Sequence, residues 1–140
     1  MLFFGIVLLI IILALCILLL IPGYTNSIKD PNGKPLLHSI ASLEKVCLGG
    51  KEQWILIRGV NKNNPVILFL HGGPGTSDMG LLRRYMKDLE NYFVVVTWDQ
   101  PGAGKSFSAN TPYSSMNINR FVADTHELTN LLREKFQHKK

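Results

Sequence analysis

An α/β fold behind one membrane-spanning helix is what this sequence predicts, and three observations carry the reading. Leu2 to Ile21 is apolar throughout. Val66 to Leu70, VILFL, is a continuous apolar run that closes on a glycine-rich turn. After an interval with apolar residues at helical spacing, FVVVTW at Phe93 to Trp98 forms a second such run. Strand, helix, strand is the unit from which parallel sheets are built.

Taken in order, Leu2 to Ile21 would span about 30 Å as a helix at 1.5 Å per residue, the thickness of the bilayer hydrocarbon core. A cleaved signal peptide wants a basic n-region, a shorter apolar stretch and a small-x-small cleavage site, and none precedes Pro22. Residues 1–21 therefore read as a single-pass anchor, with the lipid bilayer as partner. No Lys or Arg precedes the run, while Lys29 and Lys34 follow it. That bias points to a cytoplasmic domain, although two lysines leave an external domain on a signal anchor open. Residues 22–38 are rich in Pro, Gly, Asn, Ser and Asp, the composition of a linker without a packed face. Residues 39–140 then form the α/β domain.

Ser39 to Leu48 partly alternates, Gly49-Gly50 makes a turn, and EQWILIRG follows, so a two-stranded hairpin is expected. Asn61 to Asn64 turns the chain into Val66 to Leu70, whose unbroken apolar character predicts a parallel strand buried on both faces. Ser77 or Asp78 caps a helix to about Glu90, with Leu81, Leu82, Tyr85, Met86 and Leu89 at helical spacing. Phe93 to Trp98 is the next strand, and Asp99 to Tyr113 a long loop. Asn117 caps a last helix to Phe136, with Ile118, Phe121, Val122, Leu128, Leu131 and Leu132 on its apolar face.

Chemistry is expected at the end of the VILFL strand. Gly72, Gly73 and Gly75 permit positive φ and close backbone approach, and Pro74 removes one N–H and stiffens the turn. The amides left free can point at a substrate oxygen. HGGPG after an apolar strand resembles the oxyanion-hole loop of the α/β-hydrolase fold, in the version found in proline iminopeptidases and their relatives. A second block, TWDQPGAGKS at Thr97 to Ser106, is similar to the Asp-Gln-Arg-Gly-x-Gly-x-Ser pattern after the next strand of that family. Pro101 and Lys105 depart from the pattern, standing where it usually has arginine. The resemblance runs from Leu43 to Phe136. It implies that the Gly73 N–H is the oxyanion donor, with Gly72 the alternative. It also implies that His71, Pro74, Gly75, Asp99 and Gln100 support the site.

His71 is not read as the catalytic histidine, because in these hydrolases the triad runs Ser, then Asp or Glu, then His along the chain. His38, His126 and His138 read as surface or helix positions, since no second ligand sits at metal spacing. PGAGKS is not a phosphate-binding loop: Asp99 stands where that motif needs Gly, and Pro101 removes an amide. No metal or cofactor is expected. The net charge of +5, from 15 Lys and Arg against 10 Asp and Glu, is spread along the chain without interleaved aromatics, which argues against nucleic acid. Cys16 lies in the apolar run and Cys47 in a strand, so no disulfide is expected between them.

The sequence contains no G-x-S-x-G. Gly104-Lys105-Ser106-Phe107-Ser108 comes nearest and ends in serine. About 115 residues remain beyond the anchor, about half of what an α/β-hydrolase needs. The expectation is therefore a membrane-anchored serine hydrolase of aminopeptidase type, acting on a small peptide or a related ester or amide. It is present here as its N-terminal part, without Ser, acid or His and inactive alone. An apolar strand and G-x-S-x-G are expected in the coding sequence after Lys140. The alternatives are a non-catalytic membrane-anchored binding protein and, less in keeping with the motifs, a nucleotide-binding loop.

Overall fold

The computed structural model describes residues 2–20, 23–72, 75–109 and 111–137. Its helices are α1 (Leu2–Leu20), α2 (Met79–Tyr85) and α3 (Ile118–Phe136), and its strands β1 (Ile40–Leu48), β2 (Lys51–Gly59), β3 (Val66–Leu70) and β4 (Val94–Asp99). The sheet order is β1-β2-β4-β3. β1 runs antiparallel to β2, with Lys45 opposite Trp54, and β2 antiparallel to β4, with Leu56 opposite Thr97. β3 lies parallel to β4, with Leu68 opposite Val96. The hairpin turns on Gly49 and Gly50 at φ +54° and +74°. Two left-handed residues in succession are what a tight hairpin matched to strand twist requires, so glycine is the fitting residue at both.

One sheet face carries the core. Leu48, Ile55, Ile57, Val94, Val96 and Trp98 pack with Leu128 and Leu132 of α3. Fully burying each aliphatic side chain of this kind contributes about 1.5–3 kcal/mol. On the other face Leu56, Val95 and Thr97 gather with Met79 and Leu82 of α2. β4 is buried at all its positions because it has a strand on each side and a helix on each face.

Two buried polar clamps fix the layers. The side chains of Arg58 and Glu90, exposed only 7% and 6%, pair at 2.8 Å. The Arg58 Nη1 also donates to Thr25 Oγ1 at 2.6 Å and to the Asn26 carbonyl at 2.7 Å. On the α3 side Trp98 Nε1 donates to Gln53 Oε1, and Gln53 Nε2 donates to Asp124 Oδ2, each at 2.9 Å. Arg120 Nε meets Asp124 Oδ1 at 2.9 Å, and the same guanidinium donates to the carbonyls of Leu48 and Gly49. The buried carboxylate of Asp124 is thus compensated by a cation and an amide, as burial of a charge demands.

Five expectations are corrected. β3 is not buried on both faces: its first four positions are of intermediate burial and Leu70 is exposed, since β4 is its sole sheet neighbour among the described residues. The helix expected to reach Glu90 stops at Tyr85; Met86 adopts φ −118°, ψ 23°, and Lys87–Asn91 is a 3-10 turn. That tightened turn delivers Glu90 to Arg58 and its carbonyl to the Val60 N–H. Asp78 stands at the start of α2 but makes no side-chain cap bond. On α3, Ile118 and Val122 are exposed instead of facing the core, while the inward positions are Asp124, Leu128 and Leu132. Finally, the stretch read as a linker is not without contacts: Ile28 is buried, Lys29 bridges Pro35, and Thr25 and Asn26 hold Arg58.

The free edge of β3 has a measurable consequence. An apolar strand with unpaired N–H and C=O groups templates association, and a lysine on such an edge blocks it. Leu70→Lys should shift the detergent-solubilised 140-residue chain from higher oligomers toward monomer in sedimentation; an unchanged distribution would show that the edge does not drive association.

Candidate active site

β3 and β4 are parallel, so the loops leaving their C-terminal ends emerge side by side at one end of the sheet. Crevices at the carboxyl ends of parallel strands are the usual ligand positions of open α/β sheets. His71 and Gly72 follow β3, and Gln100 follows Asp99, the last residue of β4.

Gln100 locks the two loops together. Its backbone N–H donates to His71 Nε2 at 3.0 Å, and its side-chain Nε2 donates to the His71 carbonyl at 3.2 Å. A backbone N–H can only donate, so this bond belongs to the His71 tautomer with its hydrogen on Nδ1. That hydrogen faces the Gly72 carbonyl at 3.4 Å. The Nε2 lone pair is engaged, which leaves His71 a loop-holding role rather than that of a base.

Asp99 organises the following segment. It is buried, and its Oδ2 accepts from the Lys105 N–H at 2.7 Å. Gly104 sits at φ +44°, where an added Cβ would run into the Asp99 carboxylate. Only glycine meets both conditions. The segment Gly104–Ser106 is a 3-10 turn, and the buried Ser106 Oγ accepts from the Trp54 N–H at 2.8 Å. No helix starts at Lys105, its amide is committed to Asp99, and its Nζ lies 5.0 Å from the Trp54 ring centroid. This is not the geometry of a phosphate cradle, in which free amides and a lysine converge on one anion.

Between the loops lies a cleft of about 530 Å³ whose lining includes His71, Gly75, Gln100, Pro101 and Gly102, and beyond them Phe107, Met116 and Phe121. The structure thus brings three of the residues named from sequence, His71, Gly75 and Gln100, to one cavity. Asp99 lies beneath it as a buried loop anchor, and Gly72 is exposed beside His71. Gly73 and Pro74 lie outside the described residues, as does His138. The apolar walls, Phe107, Met116 and Phe121, were not identified as site residues from sequence. Phe121 read as a core position of the last helix, and no pattern in the chain separates an aromatic that lines a cleft from one that fills a core. His38 and His126 are exposed, and Cys16 and Cys47 are free thiols. Among the described residues no group of three or more His, Cys, Asp and Glu is arranged to hold a metal ion.

α1 is a helix from Leu2 to Leu20 without a charged residue in its first or last turn. Its side chains are described for residues 4–17, about 21 Å of helix. Among the described residues no helix is long and apolar enough to cross a membrane.

No protein-family model matches the chain. It is similar to the protein described as "Probable aminopeptidase YbaC" from Bacillus subtilis (strain 168), at 45% identity over 106 residues, covering 76% of this chain and 33% of that protein. It is also similar in structure to a proline iminopeptidase-related protein from Thermus thermophilus, with a TM-score of 0.59 and 29% identity, over 66% of this chain and 32% of that one. The chain therefore spans about a third of the length of each. Together the two likenesses support a mixed α/β fold with a sheet related to that of a proline iminopeptidase-related protein.

Proposed function

We propose that these residues form the oxyanion-loop part of a membrane-anchored α/β-hydrolase of aminopeptidase type, whose substrate is a small peptide carrying an apolar N-terminal residue, or a related amide or ester. The observation that carries the reading is the Gln100 lock on His71 at the mouth of the cleft. It holds the start of the glycine turn at the carboxyl end of the parallel strands, where the resemblance to an oxyanion-hole loop implies chemistry. The cleft's apolar walls suit a small apolar side chain, and its polar end lies at His71 and Gln100. The Gly73 N–H is then the donor to the carbonyl oxygen as it takes up negative charge, with Gly72 the alternative. Leu2 to Ile21 serves as the anchor.

The chemistry needs a nucleophile that these residues do not offer. Ser106, centre of the nearest approach to G-x-S-x-G, is buried on a 3-10 turn and bonded to the Trp54 N–H instead of standing on a strand-to-helix elbow. Serine, acid and histidine come from a further part of the same gene product in this account. Acyl transfer through the triad is then impossible for these 140 residues alone. Hydrolysis of an L-prolyl arylamide tests this: the 140-residue chain should release no arylamine above buffer, and the full gene product should. Turnover by the 140-residue chain that is lost on Gly73→Pro would overturn it. The cleft is also built wholly from residues of this chain, which favours as second reading a binding protein that holds such a peptide without cleaving it.

A further inference from the structure

At the point where α1 gives way to the domain, one indole carries two ammonium groups. Lys45 stands opposite Trp54 in the β1–β2 register, its Nζ 5.6 Å from the ring centroid. Lys105 reaches the same ring from the loop after β4, its Nζ at 5.0 Å. Cations at such distances are attracted by the indole face, so both heads are held on one spot instead of dispersing into solvent. Lys105 also lies against the chain just after α1: a Cβ added to Gly23 would fall 2.5 Å from its Nζ and 3.1 Å from Leu43 Cδ2. Tyr24, the next residue, is 75% exposed. Trp54, Lys45 and Lys105 thus meet beside Gly23, three residues after the end of α1, with the exposed Tyr24 next in the chain.

Covalent geometry places this cluster against any bilayer that α1 enters. Gly23 comes three residues after Leu20, so the chain between them reaches at most about 11 Å. Trp and Tyr rings settle at the headgroup level because one end is apolar and the other wet, and lysines beside them meet anionic headgroups. The two lysines differ in availability. Lys45 is paired with Glu52 at 2.7 Å, whereas Lys105 has no carboxylate partner among the described residues. The Lys105 amide is fixed by Asp99, and its neighbour Ser106 by Trp54, so the cation is presented on a rigid turn.

From this geometry we infer that the Lys45–Trp54–Lys105 stack, with Tyr24, is an interfacial seat for anionic phospholipid headgroups. Through the loop shared by Lys105, Gln100 and Gly102, it sets the cleft at a fixed attitude to the membrane surface. The inference rests on the anchor reading of Leu2 to Ile21 and adds to it a lipid class and a contact surface.

The test uses the full 140-residue chain in phosphatidylcholine vesicles with and without about 30% phosphatidylserine. Flotation reports the anchor, and quenching of Trp54 emission by headgroup-labelled lipid reports the seat. Trp98 is 1% exposed, and its emission is removed as background with the Trp54→Phe variant. Quenching should rise when phosphatidylserine is present. Lys105→Gln should lower the ratio of quenched to unquenched emission about fivefold, and Lys45→Gln by less because Glu52 already offsets it. Lys105→Arg should keep the effect, and flotation should be unchanged throughout. A chain that floats while Trp54 is quenched by aqueous iodide and not by labelled lipid overturns the seat and leaves the anchor standing. Quenching indifferent to phosphatidylserine and to Lys105→Gln also overturns it. A chain that does not float overturns both.

Discussion

Arg58→Ala should lower the unfolding free energy by about 3–5 kcal/mol in urea titrations of the detergent-solubilised chain, a large share of the stability of a domain this size. The reason lies in what the change leaves behind. Glu90 would remain inside with its carboxylate deprived of the guanidinium 2.8 Å away, and an uncompensated buried charge is among the most destabilising single defects. The pair also ties three separate parts of the chain: β2 through Arg58, the 3-10 turn through Glu90, and the segment after α1 through Thr25 and Asn26. Faster proteolytic nicking around Thr25 and Asn26 should therefore accompany the loss. Replacing both partners with apolar residues, Arg58→Met with Glu90→Leu, should recover most of the deficit, since two well-packed apolar groups carry no desolvation penalty. A loss under about 1 kcal/mol for Arg58→Ala would show the pair to be solvated.

The second large effect concerns the glycine turn. In the full gene product Gly73→Pro should lower kcat on an L-prolyl arylamide by a factor of about 10² to 10³, equivalent to about 2.7–4 kcal/mol of transition-state stabilisation. KM should change much less. Proline deletes the one N–H assigned to the oxyanion and leaves the ground-state contacts of the cleft walls in place. The thermal melt serves as control for the fold. Gly72→Pro distinguishes the two candidate donors: equal loss in both variants points to a collapsed turn, and greater loss at Gly72 transfers the role to that residue.

Much of this architecture was legible because its signals are local. The hairpin followed from Gly49-Gly50 between two strand-like runs, and the parallel pair from VILFL and VVVTW around a helical interval. What the sequence hid is set by long-range partners. The apolar run VILFL reads as buried on both faces, and nothing inside it tells that its positions would be only partly covered. The break in the helix after Tyr85 answers to Arg58, which lies far away in sequence, and so no local propensity could reveal it. Asp124 was invisible as an inward position of α3, because a carboxylate on an amphipathic helix reads as solvent-facing until Gln53 and Arg120 are seen to enclose it. Of the residues that line the cleft, the motif had named His71, Gly75 and Gln100. It left out Phe107, Met116 and Phe121, whose role depends on how the loop after β4 folds across α3.

The most direct test of the central claim is to read the coding sequence that follows the Lys140 codon. The account predicts, in this frame or a shifted one, an apolar strand of about four to six residues and then G-x-S-x-G within about fifteen residues. An Asp or Glu and then a His should follow further downstream. That strand would lie beside β3, where the open edge stands ready, and would bring the serine to the end of the sheet occupied by His71 and Gln100. A stop codon directly after Lys140, with no such elbow in any nearby frame, would contradict the hydrolase account and leave the peptide-binding reading in its place.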